Sequence, residues 1–223
     1  PRVINSLGVV WNRSQLWRDL RVGQLDFGQH QSSEMVFGAI FAAVMVRARG
    51  FQAIGAFDEA HFSYGEDFDV CYRANSFGYT FLTVPTSLVR HKHRASSGDN
   101  CNREWAYYYY LRNYLYVILK NYELSSLLDR GPAVMWMLLG RGLLSSIRRR
   151  DRVRLATHLR AASGLVSLLP KTVLYREFIK RHRVRSDTEI WDRSKLPEYN
   201  PHYYEDAVVL GNDALRGYSA SCG

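Results

Sequence analysis

The chain has 223 residues, 47% hydrophobic and 13% aromatic, which excludes a disordered segment and allows one core with a helical appendix. Its formal charge of +9 is uneven, because Lys and Arg outnumber acids 14 to two between residues 130 and 185. A basic block of that kind expects a polyanionic neighbour, whether anionic lipid, phosphate-bearing substrate or nucleic acid. Cys71, Cys101 and Cys222 are too few and too widely spaced for a disulfide framework or a zinc site. They read as reduced thiols of a cytosolic protein.

The chain opens at Pro1 on a strand-like stretch, residues 3–11, with no pattern of a signal peptide. A cut, by processing or from an incomplete gene product, is the expectation there. Residues 35–47 are almost continuously apolar, as for a strand buried on both faces, with Gly38 marking a bulge or a close approach. A short helix over 48–54 closes at Gly55. A loop through Phe62-Ser63-Tyr64-Gly65 leads into a helix over 67–77 that groups Phe68, Cys71, Tyr72 and Ala74 on one side. Two more strands are predicted at 79–84 and 87–93.

From Arg103 the pattern turns helical. An aromatic helix over 105–122 precedes helices near 131–148, 152–168 and 171–183. Leu155, Leu159, Ala162, Val166 and Leu169 recur every three or four residues and form the apolar face of the third. The apolar run Ala133–Leu139 is interrupted by Gly140-Arg141-Gly142 and falls short of the roughly 18 residues a spanning helix needs. After about Thr188 the chain is polar and reads as a loosely tied tail. The expected domains are 1–100, 101–185 with basic amphipathic helices, and 186–223.

Glu66-Asp67 opens a helix after a glycine loop, where the helix dipole favours negative charge. A carboxylate held there can take a proton from an attacking hydroxyl. Acids in a first turn also serve as ordinary caps. His91 and His93 lie two apart on a predicted strand end and so share a face. Such a pair suits a divalent metal or a diphosphate oxygen, and equally a solvated basic edge. Asp69 and Arg73, four apart, read as a structural ion pair.

Taken in order, Phe37-Gly38-Ala39, Gly55-Ala56-Phe57-Asp58-Glu59, Phe62 to Ala74, Gly78-Tyr79, Val84-Pro85 and Val89-Arg90-His91-Lys92-His93 resemble the family 2 glycosyltransferases. Asn5-Ser6-Leu7-Gly8, Tyr109-Tyr110-Leu111-Arg112-Asn113 and Lys120-Asn121 resemble the bacterial branch that includes rhamnosyltransferases of cell-surface polysaccharide assembly. The resemblance covers residues 3–122. It implies an α/β fold: the acceptor-side, catalytic-base half of an A-type, Rossmann-like mixed sheet, followed by a mainly helical carboxy-terminal region. Asp67 would match the catalytic base and Glu66 its partner. Gly38 and Ala39 would match the loop that lets backbone approach donor or acceptor. His91 or His93 would match the histidine that helps hold a Mg or Mn ion and the diphosphate. The family's nucleotide-binding half, with its Asp-x-Asp motif, would precede Pro1 and is expected in the complete enzyme.

Eight aromatic residues crowd 105–122, and most fit packing of the helix against a sheet. Trp105 and Arg112 are the substrate candidates, by stacking on a sugar and by meeting a phosphate of a lipid-linked acceptor. Arg148-Arg149-Arg150, Arg152 and Arg154 beside Met135–Leu139 suit an anionic membrane surface, and equally a solvated basic face. No nucleic-acid motif is present. The reading is therefore a hexosyltransferase-type enzyme that uses a nucleotide-sugar donor and a glycan or lipid-linked acceptor in cell-wall polysaccharide synthesis. It is expected in the cytoplasm, peripheral on the inner face of the cell membrane. The rival is a non-catalytic remnant or acceptor-binding module that lacks the donor site.

Overall fold

The structure, a computed structural model, describes residues 2–11, 17–91 and 103–194. These fall into two compact units. The first holds the described residues up to Val44 together with 81–91 and 192–194, and the second holds Met45–Thr80 with the described residues 103–191.

In the first unit β1 (Arg2–Val3) pairs antiparallel with β4 (Leu25–Asp26), and β2 (Val9–Trp11) with β3 (Trp17–Asp19). β5 (Met35–Val36) pairs antiparallel with β6 (Phe81–Leu82). Val10, Leu20 and Val36 form the core, with Leu7 and Phe81 packed against it. Gly8 is needed at the crossing of these strands. Its φ is +123°, and a Cβ there would stand 2.9 Å from a Val36 methyl and 3.0 Å from the Gly38 carbonyl oxygen. Gly38 in turn bridges to Val9, accepting its N–H at 2.7 Å and donating back at 3.2 Å.

The second unit is helical. It contains α1 (Ala48–Ala53), a 3₁₀ turn (Glu59–His61), α2 (Glu66–Ser76), α3 (Arg103–Asn121) and α4 (Leu124–Met135). A π-helical turn (Trp136–Gly140) then carries the chain into α5 (Arg141–Arg148), α6 (Arg152–Ser167), α7 (Leu169–His182) and α8 (Asp187–Arg193), of which the residues up to Trp191 belong to this unit. α3 packs on α2, α6 and α7, and its Leu111, Tyr114, Leu115, Val117 and Ile118 are buried. Phe68, Cys71, Tyr72 and Ala74 of α2 are buried as the sequence predicts.

Several sequence expectations are corrected. The strands predicted over 3–11, 35–47 and 79–84 are reduced to two- or three-residue pairs, and no strand forms over 87–91. The apolar run 35–47 is not buried on both faces: Met35 and Met45 are exposed, and 41–43 form a turn. The expected mixed Rossmann-like sheet is represented among the described residues by three separate antiparallel pairs. The apolar stripe of α6 has the right period but faces out, with Leu159, Val166 and Leu169 exposed. α6 instead seats Thr157, His158, Ala161 and Leu165 inward, because Thr157 donates to Glu104 (2.9 Å) and His158 accepts from Tyr107 (3.1 Å) across the α3 seam. The beginning of the predicted loose tail is docked. Asp187 accepts from Tyr72 Oη (2.9 Å), Glu123 N (2.7 Å) and Arg183 (2.8 Å), and Ile190 and Trp191 are buried. Residues 195–223 lie outside the described residues.

Candidate active site

The path from His61 to Asp67 is the most constrained backbone in the second unit. Phe62, Tyr64 and Gly65 have φ of 60°, 65° and 91°, so two bulky side chains occupy the left-handed region that glycine alone adopts freely. Such a loop persists only when its surroundings fix it, and two α3 residues do so. Asn113 Nδ2 donates to the carbonyls of His61 (2.8 Å), Ser63 (2.7 Å) and Tyr64 (2.6 Å). Arg112 donates to the carbonyls of Ala60 (2.6 Å) and His61 (3.2 Å), and through Nε to Asn113 Oδ1 (2.8 Å). Gly65 is the cap of α2, and a Cβ there would press to 3.2 Å from that of Asn113.

The braced loop delivers three acids to the first turn of α2, and the structure separates their roles. Asp69 points inward and is fully buried, bonded to Arg73 (2.7 Å), Lys120 (2.8 Å) and Asn121 (2.8 Å). The expected Asp69–Arg73 pair is present, and Arg73 also donates to the carbonyls of Ile54 and Ala56. Lys120 bridges onward to Asp58 (2.7 Å), which also accepts from Tyr116 (2.7 Å) and Lys171 (2.7 Å). Burial opposes charge on both carboxylates. For Asp58 the adjoining Lys120, Lys171 and Tyr116 outweigh it, and for Asp69 Lys120 and Arg73 do, so both stay far below the usual carboxylate range.

Asp67 and Glu66 are half-buried. Oε2 of Glu66 is shielded from solvent and has no hydrogen-bond partner among the described residues. Phe62 and Tyr64 of the preceding loop join Trp105 and Tyr109 in an aromatic shelf. Trp105 lies 6.2 Å from Phe62, 6.1 Å from Tyr64 and 4.9 Å from Tyr109, ring centre to ring centre. Phe62 is 74% exposed and Trp105 39%, so the shelf offers open ring faces.

Of the other sequence candidates, Arg112 serves the loop carbonyls and lies over the rings of Tyr108 and Tyr109, 5.5 and 4.8 Å from their centres. Gly38, Ala39 and His91 belong to the first unit, where Gly38 is engaged with Val9 and His91 is exposed. His93 lies outside the described residues. Among the described residues no three His, Cys, Asp or Glu side chains gather to hold a metal ion. The donors present thus do not by themselves fit the expected Mg or Mn ion.

Sequence reasoning assigned no role to Asn113, Asp58, Lys120, Lys171 or His61. His61 is fully buried, with Nδ1 3.1 Å from the Asp58 carbonyl oxygen and Nε2 without a partner among the described residues. Burial brings its pKa down to about 4, against a smaller upward pull from Asp69. The only signals for these residues were Phe57-Asp58-Glu59, the run Tyr109 to Asn113 and Lys120-Asn121 within the family pattern.

Two half-buried acids thus open α2, directly after a loop that exposes an aromatic ring. The chain belongs to glycosyl transferase family group 2, whose family model matches residues 6–176. Over 79 residues it is 33% identical to the pre-mycofactocin glycosyltransferase of Mycobacterium tuberculosis, in strains CDC 1551 / Oshkosh and ATCC 25618 / H37Rv. That match covers 34% of this chain and 17% of the length of those relatives. No solved structure matches the chain.

Proposed function

We propose that this chain carries the catalytic-base half of an A-type glycosyltransferase that moves a sugar from a nucleotide diphospho-sugar to a cell-surface glycan or lipid-linked acceptor. Asp67 takes the proton from the acceptor hydroxyl as that oxygen bonds the anomeric carbon. The bond from that carbon to the diphosphate breaks, and its electron pair leaves with the nucleoside diphosphate. Glu66 orients the acceptor beside Asp67, and the Trp105 shelf stacks on a sugar ring. Gly38 and Ala39 let backbone approach the substrates, and His91 and His93 act on the diphosphate side. The rhamnosyltransferase-like branch, and a peripheral position on the inner face of the cell membrane, complete the reading. The observation that supports it best is the strained loop, braced by Asn113 and Arg112, that sets the acidic pair at the start of α2.

Transfer by the full-length protein across a panel of nucleotide sugars tests the assignment. Asp67→Asn should abolish turnover with an unchanged melting temperature, while Trp105→Ala should raise KM for the acceptor more than it lowers kcat. Near-normal turnover by Asp67→Asn removes the base. A wild-type protein that binds glycan acceptors but transfers no sugar from any donor is instead the acceptor-binding module.

A further inference from the structure

α3, α5 and α6 enclose a hollow of about 300 Å³ lined by Tyr107, Ser145, Arg149, Asp151, Arg154 and His158. Its floor is built to shape. His158 is buried, bonded through Nδ1 to the Arg154 carbonyl (2.7 Å) and through Nε2 to the Tyr107 hydroxyl (3.1 Å). Gly142 leaves room for that imidazole, since a Cβ there would fall 2.0 Å from Nε2. Asp151, the one acid on the wall, is committed to capping α6 through the Arg154 N–H (2.9 Å). Neither Arg149 nor Arg154 has a carboxylate within ion-pair distance among the described residues; Arg154 instead lies 5.3 Å from the centre of the Tyr107 ring. Two guanidiniums against one carboxylate leave the hollow with an excess of positive charge, which suits a phosphate.

The segments that line the hollow also expose apolar side chains. Leu144, Ile147 and Val153, sequence neighbours of the lining residues, are exposed. They continue a run of exposed apolar side chains along α4 and the π-helical turn: Leu124, Leu128, Met135 and Trp136. That run ends in Arg148-Arg149-Arg150. No helix among the described residues is long and apolar enough to cross a membrane.

We propose that the hollow binds the phosphate headgroup of an anionic lipid while the Leu124–Ile147 face rests in the membrane interface. The choice of occupant rests on charge complementarity: a phosphate receptor in a basic segment that also exposes aliphatic side chains fits an anionic bilayer. The proposal deepens the membrane part of the reading above and is independent of sugar transfer.

Vesicle flotation with the full chain tests it, using phosphatidylcholine with and without phosphatidylglycerol. The wild type should bind only the anionic vesicles, and inorganic phosphate at constant ionic strength should compete. Arg149→Gln with Arg154→Gln removes the receptor. Arg148→Gln with Arg152→Gln removes the same charge beside it, each arginine near an anionic surface being worth roughly 5-fold. The first pair should lose about 10-fold more affinity than the second and should no longer respond to phosphate. Circular dichroism should show both pairs folded. Equal losses by the two pairs, or wild-type binding indifferent to inorganic phosphate, overturn the pocket. Phosphate binding without vesicle binding would assign the hollow to a soluble phosphate compound and overturn the lipid.

Discussion

Asn113 shows how one side chain fixes the path of a loop distant in sequence. Its amide answers three carbonyls of a loop that has no regular structure to satisfy them. Asn113→Ala should cost about 2–3 kcal/mol in urea denaturation. It should also lower kcat more than KM, because the loop that aims Asp67 relaxes. Asn113→Asp should fail equally, since a carboxylate offers those carbonyls no donor. The place of Asp67 in the first turn of α2 was legible because a helix start, a preceding glycine and three acids are local signals. That of Asn113 was not, because its partners lie some fifty residues away and nothing in the sequence pairs them.

At the scale of elements, periodicity was read correctly and its phase was not. α6 has the spacing of an amphipathic helix, yet it seats hydroxyls, an imidazole and small residues against α3 and turns its aliphatic stripe outward. Hydrophobic spacing identifies a face but not what covers it, and here specific polar pairs decide. The seam is tight. Gly142→Ala should force His158 out of its place, break its bond to Tyr107, and lower stability by about 1–3 kcal/mol, as a drop in melting temperature. The strands were over-read for a related reason: apolar runs without partners were counted as buried sheet.

For the whole molecule, the buried network makes stability a function of pH. His61 is kept neutral in the fold, with a pKa near 4 against 6.5 for the free side chain. The unfolded chain therefore takes up its proton first as pH falls. Stability is full above about pH 6.5 and should drop by about 3 kcal/mol on the way to pH 4. Asp58 and Asp69, depressed by their cations, add a further loss below the ordinary carboxylate value of 3.8. Denaturation free energies between pH 4 and 7 check this, and His61→Gln should flatten that interval alone. The π-helical turn carries a different consequence. It stores one residue more than an α-helical turn, and each residue advances a helix by roughly 100°. Deleting a single residue from Trp136–Gly140 should let the segment tighten to ordinary pitch while everything beyond keeps its bearing. The same deletion inside α6 would swing the remainder of that helix through the full angle, so the chain carries its own slack link at this turn, and only there among the helices of the described residues is a shortened message expected to yield the same shape.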